Sequence, residues 1–249
     1  MTSTPPLRLD NVTKSFGGLT AVSDVTLSVH EGERSVILGP NGAGKTTLFH
    51  CITGTLPITS GTIQIFGKNV NRMTPNARTR LGVGRTFQIT NLFAELTLLQ
   101  NVVLAVHGRA RGARRLFTSW QSERHVVDQA HAELDRVGLC GKADLDVSEL
   151  SYGERRQLEL ALALVGGPRL LLLDEPCAGL SQSERQAFTG LIRAIPSNVT
   201  TIIVEHDMDV AFAIADRLIV MNQGALICDG PPEEVRNTTE VQEVYLGDA

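Results

Sequence analysis

The run Gly39-Pro40-Asn41-Gly42-Ala43-Gly44-Lys45-Thr46, with Thr47 next to it, has the composition of a phosphate cradle. Glycines let consecutive backbone N–H groups curl around phosphate oxygens without Cβ clashes, and a helix opening at Lys45 would add the positive end of its dipole. Lys45 supplies a mobile positive charge for β- and γ-phosphates, and the Thr46 hydroxyl can ligate Mg²⁺. The spacing fits the P-loop pattern, and an apolar strand-like run precedes it as that pattern requires. Phosphoryl transfer also needs a carboxylate to hold the metal. The apolar run Leu170-Leu171-Leu172-Leu173 delivers Asp174 at its end, with Glu175 directly after it. Two adjacent acids suggest two tasks: Asp174 holding Mg²⁺ through water, and Glu175 polarising the attacking water as general base. In isolation such a pair is also a common surface turn; downstream of a phosphate loop the catalytic reading is favoured.

These groups need elements to position them. Short β-segments are expected at residues 7–16, 25–30 and 34–38, then a helix over 45–53 and a strand over 62–66. Helical spacing follows over 97–106 and 123–137. Between these two helices lies residues 108–120, carrying Arg109, Arg111, Arg114, Arg115 and the only tryptophan. That stretch reads either as a docking surface for a membrane partner or as a solvated arginine-rich loop. Beyond it come a helix at 153–165, the strand 170–174, a helix at 182–194, the strand 200–204 and a helix at 208–215. A hairpin turning at Gln223-Gly224 and polar helical pieces from about residue 231 close the chain. Strands alternating with helices imply an α/β fold with a largely parallel sheet.

Composition excludes several classes. A net charge of −4 gives no global basic field, so no nucleic-acid partner is expected. Cys51, Cys140, Cys177 and Cys228 stand singly, without zinc-site spacing, and read as reduced cytosolic thiols. The first ten residues lack the basic and apolar regions of an export signal. The richest apolar tract, around residues 158–173, is broken by Glu159, two glycines, Pro168 and Arg169, so any membrane role has to come through a partner.

A third motif, Leu150-Ser151-Tyr152-Gly153-Glu154 before Arg155-Arg156-Gln157, offers another helix-start anion site through the Ser151 hydroxyl and the Gly153 N–H. Alone it would read as an ordinary N-cap. Placed between the phosphate loop and the acidic strand, it makes nearly the whole chain resemble the ATP-binding-cassette (ABC) family. The resemblance implies a single P-loop NTPase nucleotide-binding domain over residues 1–249: a RecA-like core, a β-rich edge subdomain, a helical subdomain inserted at about 97–150, and a helical tail at about 231–249. It implies ATP and Mg²⁺ as cofactors and ATP hydrolysis as the activity. It also implies that Ser151 and Gly153 complete the nucleotide site of a second subunit in a head-to-tail dimer. Gln88, within Arg85-Thr86-Phe87-Gln88, resembles the glutamine loop that touches Mg²⁺ or the attacking water. His206, after the run Ile202-Ile203-Val204, resembles the switch histidine at the γ-phosphate. Phe16 falls where the family stacks an aromatic ring on adenine, although a core aromatic would look the same in sequence.

The chain also departs from the family pattern. Tyr152 replaces the first glycine, and Glu154 the glutamine, of the common Leu-Ser-Gly-Gly-Gln. The segment Ala178-Gly179-Leu180-Ser181 stands where many members have Ser-Ala-Leu-Asp. These features, with Val204-Glu205-His206-Asp207-Met208 and Tyr245-Leu246-Gly247, are similar to the LivG-type ATPases of branched-chain amino acid importers. That similarity implies two permease subunits, a sister or identical ATPase subunit, a periplasmic or lipid-anchored binding protein, and a place on the inner face of the cell membrane. A soluble non-transport ABC ATPase, such as an iron–sulfur assembly factor, and a lipopolysaccharide-exporter ATPase are the alternatives.

Overall fold

Alternate residues of the central strands feed two different cores, and this alternation organises the fold. Val36 and Leu38 lie in one apolar cluster and Ile37 in the other; Leu171 and Leu173 oppose Leu170 and Leu172; Ile203 opposes Ile202 and Val204. All are buried, so the sheet is covered on both faces, as continuous apolar runs in parallel strands require. Each such leucine contributes about 1.5–3 kcal/mol by leaving water.

The computed structural model describes residues 4–86, 92–109 and 124–246. The strands are β1 (Leu7–Phe16), β2 (Leu19–Val29), β3 (Arg34–Leu38), β4 (Ser60–Ile65), β5 (Lys68–Asn69), β6 (Val83–Arg85), β7 (Leu170–Asp174), β8 (Thr200–Val204), β9 (Arg217–Asn222) and β10 (Ala225–Gly230). The helices are α1 (Lys45–Thr53), α2 (Pro75–Arg80), α3 (Leu98–Arg109), α4 (Arg124–Arg136), α5 (Tyr152–Leu164), α6 (Gln182–Arg193), α7 (Met208–Ile214), α8 (Pro232–Arg236) and α9 (Thr239–Leu246).

Two sheets result, ordered β2-β1-β4-β5 and β10-β9-β3-β8-β7-β6. In the second, β9, β3, β8, β7 and β6 run parallel and β10 closes one edge antiparallel to β9. The first sheet is antiparallel and shares its core with α1 and one face of the large sheet. The segment of α3 and α4 is closed at its ends by backbone hydrogen bonds: Leu98 N–H to Leu145 O (3.0 Å), Leu99 N–H to Ala143 O (2.9 Å) and Val147 N–H to Leu96 O (3.2 Å). No helix among the described residues is long and apolar enough to cross a membrane.

The helix over 45–53 and the strands over 34–38, 170–174 and 200–204 fall where the sequence places them. The second strand is longer than expected, because its pairing with β1 runs through the Gly17-Gly18 turn from Phe16↔Leu19 to Leu7↔Val29. Three short elements escape the periodicity. β5 is two residues long, α2 is a polar helix capped by the Thr74 side chain, and β6 contains Gly84 and exists through its pairing with the distant β7.

Candidate active site

β3 and β8 are adjacent parallel strands, and β7 lies beside β8, so the loops leaving their C-terminal ends meet on one side of the sheet. Open parallel sheets place ligands at this edge, where the chain order reverses across the central strands. Three of the motifs read in the sequence leave from it.

After β3 the chain turns through residues 39–44 into α1. Gly44 is the helix N-cap with φ +96°, and a Cβ there would lie 2.3 Å from the Ala21 carbonyl oxygen of β2. Only glycine combines that backbone with that close approach. No side chain caps α1 and its first turn holds no acid, so a bound anion would meet bare N–H groups and the positive helix end. The loop is buttressed by the β9–β10 turn: Gly224 N–H donates to Ala43 O (3.0 Å), and Ser23 N–H donates to Gly224 O (2.8 Å).

Lys45 is buried, 5% exposed, and its Nζ folds back to donate to the Gly39 and Pro40 carbonyls at 2.7 and 2.9 Å. Burial lowers its pKa, while Glu175, Asp174 and Glu205 oppose the shift with negative charge. Thr46 and Thr47 follow on the first turn of α1, partly exposed.

Asp174 ends β7 and is 4% exposed. Its carboxyl is pushed up to about 6 by burial and by Glu175, against the pull of Lys45. Among the described residues its Oδ1 is buried without a hydrogen-bond partner. A divalent cation would satisfy that oxygen and remove the cost of its charge, so the donor set fits a hard metal ion. Glu175 adopts φ +43°, rare for a residue with a side chain, and its N–H is tied to Val204 O at 2.9 Å. Strain of this kind, worth about 1–3 kcal/mol, persists where the surroundings over-determine the backbone. His206 follows β8 by two residues, and its exposed imidazole Nδ1 lies 3.7 Å from Glu175 Oε2. Acid and imidazole are thus brought together from two neighbouring strands.

The remaining candidates are scattered. Phe16 is 46% exposed at the β1–β2 turn, with Lys14 Nζ 4.7 Å from its ring centre, which removes the core-aromatic reading. Ser151 caps α5 in a reciprocal box with Glu154, and Gly153 is buried behind it. Both lie on a different element from the phosphate loop. Gln88 falls outside the described residues, as do residues 110–120 of the arginine-rich stretch.

Two features were not singled out in the sequence. The Tyr152 hydroxyl donates to Ala178 O (3.2 Å) and accepts from Arg156 at 2.7 and 3.1 Å, tying the α5 start to the turn after Glu175. Glu205 is a carboxylate 1% exposed beside His206; an acid directly after a buried apolar strand is the signal that marks it.

Residues 22–178 match the ABC transporter family. The chain belongs to that family. This ABC cassette is 38% identical to the high-affinity branched-chain amino acid transport ATP-binding protein LivG of Escherichia coli (strain K12), over 99% of this chain and 100% of that protein. It is 39% identical to the corresponding protein BraF of Pseudomonas aeruginosa, with the same coverage. A crystal structure of the ADP conformation of an ATP-binding cassette from an ABC transporter superposes with a TM-score of 0.85 at 28% identity, over 98% of this chain and 99% of that one. A dimeric cassette in a post-hydrolysis state with ADP and Pi superposes with a TM-score of 0.77 at 28% identity, over 91% and 98%. The ABC cassette is therefore an ATP-binding, ATP-hydrolysing protein, and its fold is that of an ABC nucleotide-binding domain.

Proposed function

We propose that this ATPase powers the import of branched-chain or related hydrophobic amino acids through separate permease subunits. The reading rests on the end-to-end likeness to relatives named for that transport. In this proposal two cassettes, identical or sister, pair head to tail on the inner face of the membrane, and a substrate-binding protein supplies the permease.

The geometry supports a division of labour. The residue 39–44 loop and the open end of α1 bind the phosphates through main-chain N–H groups. Lys45 exchanges its carbonyl partners for phosphate oxygens, and Phe16 offers its exposed ring to adenine. Mg²⁺, held by the Thr46 hydroxyl and by Asp174 through water, with Gln88 as a further contact, would neutralise charge on the phosphates. Glu175 takes the proton of the attacking water, and His206 donates to the γ-phosphate. Ser151 and Gly153 of the second cassette close the site.

A groove of about 300 Å³ suits the permease contact. Leu92, Phe93, Leu104, Ala105 and Leu162 line it between the α3–α4 segment and α5, together with Arg85 and Thr86. The same stretch leads towards Gln88, so nucleotide state and docking are neighbours along the chain.

Glu175→Gln tests the enzymatic part. We expect turnover to fall at least a hundredfold with ATP affinity retained and a stable ATP-bound dimer on gel filtration. Wild-type turnover would remove Glu175 from the base role. Radiolabelled leucine uptake by vesicles containing the assembled transporter tests the transport assignment; ATP-independent or absent uptake would refute it.

A further inference from the structure

The roles assigned above leave one deeply buried carboxylate without a task. Glu205 follows the wholly buried strand β8 and is itself 1% exposed. Two of its hydrogen bonds run to two different parts of the site, and its backbone leads directly into a third, His206. Its N–H donates to Ile37 O at 3.1 Å, on the strand that feeds the phosphate loop. Its Oε1 accepts the N–H of Cys177 at 3.2 Å, two residues beyond Glu175.

We propose that Glu205 is a positioning residue for ATP hydrolysis: by accepting the Cys177 main-chain N–H of the Glu175 turn from the position directly before His206, it fixes the separation of the general base and the switch imidazole. Its role is to act through the two turns rather than on the nucleotide or the attacking water. The inference rests on the roles given to Glu175 and His206 above.

The chemistry of the acceptor supports a specific need for glutamate. Where Glu205 is ionised it only accepts, and its charge-assisted bond to an N–H group is roughly twice as strong as a neutral one. Glutamine has the same shape, but its bond to the Cys177 N–H would be a weaker neutral one, and its NH₂ brings donors that a carboxylate lacks. The surroundings do not otherwise call for negative charge. Glu175 and Asp207 both press acidic charge on Glu205, the Cys177 side chain lies in the same field, and Lys45 on α1 supplies the opposing positive charge. Holding an acid there against burial and two neighbouring acids is intelligible if its bond to the Glu175 turn serves the reacting pair, which stands only 3.7 Å apart. Catalytic groups misplaced by about 1 Å lose on the order of a hundredfold in rate.

The test compares the full-length wild-type protein with Glu205→Gln, Glu205→Ala and Glu175→Gln. Steady-state ATP turnover, ATP affinity by calorimetry and amide hydrogen exchange are measured on each. We expect Glu205→Gln to lower kcat at least tenfold while KM and ATP affinity change less than threefold. The Cys177 amide should exchange at least tenfold faster, with the interior of β7 and β8 still protected. The alanine variant should lose more, and if it fails to fold the isosteric glutamine variant carries the test. Turnover of Glu205→Gln within twofold of wild type, with Glu175→Gln inactive, overturns this inference alone. Parallel loss of kcat, ATP affinity and global exchange protection in Glu205→Gln would make the residue merely structural and also overturns it. Normal turnover by Glu175→Gln would bring down the underlying assignment instead.

Discussion

Glu205 also has a measurable consequence for stability. Burial, with Glu175 and Asp207 adding to it, raises its carboxyl to about 7, above an ordinary glutamate near 4.5. Because the folded-state value is the higher one, the folded chain holds a proton that the unfolded chain has released. The associated stability is complete below about pH 4.5 and lost as pH rises through about 7, on the order of 3 kcal/mol in all. Glu205→Gln removes this dependence. Urea denaturation of the nucleotide-free protein at pH 5 and pH 8 should show the wild type losing more stability than the variant; equal losses would place the Glu205 pKa near its ordinary value. Lys45 belongs to the same scale. Lys45→Ala removes the charge meant for the phosphates and should weaken ATP binding at least tenfold by calorimetry. Unchanged affinity would contradict the assignment of residues 39–46 as the phosphate site.

Among the elements, α1 carries the phosphate loop at one end and depends on Arg78 at the other. Arg78 is 3% exposed, and its guanidinium donates to Cys51 O, Ile52 O, Val70 O and Met73 O at 2.6–3.3 Å. It therefore caps the last carbonyls of α1 with a positive charge, where the helix dipole favours one, and joins them to the strand region after β5. Burial lowers its pKa to about 10, still well above neutrality. Arg78→Met would leave several buried carbonyls unpaired and should cost about 2–4 kcal/mol in urea denaturation. A loss below 0.5 kcal/mol would mean that water replaces the guanidinium freely. Nothing in the local sequence marks this role: Arg78 sits in a polar stretch that reads as surface, and its partners lie 5 to 27 residues away. α5 gives the converse case. Its start was legible in Ser151 and Glu154, which form the reciprocal cap a serine and a glutamate three residues apart should form. The bond from Tyr152 to Ala178 was not, because it spans 26 residues. That bond ends on a main-chain carbonyl; the departure that Tyr152 meets is Gly179, where a Cβ would lie 3.1 Å from its ring.

For the whole molecule, the exposed apolar side chains next to the groove point to a contact made elsewhere. Phe93 is 59% and Leu104 39% exposed, and both line it. Leu104→Arg places charge on that surface without touching the nucleotide site. We expect ATP affinity of the isolated cassette within twofold of wild type, together with at least tenfold less cassette recovered with permease-containing membranes. Undiminished recovery would move the docking surface away from this groove.

The sequence by itself determined the phosphate loop, the acidic pair and the main strands. Each is a contiguous pattern whose physics is local: glycine where the backbone must turn, apolar runs where a strand is covered on both faces, an acid at a strand end. It determined the family for the same reason, through ordered short motifs. Tertiary structure alone decided that Glu175 and His206, 31 positions apart in numbering, stand 3.7 Å from each other, that Phe16 is exposed rather than in the core, and that Glu205 is buried against the turn after Glu175. Those facts follow from parallel pairing of strands distant in the chain. Such pairing is set by how two cores close over one sheet, and no short window of sequence contains it.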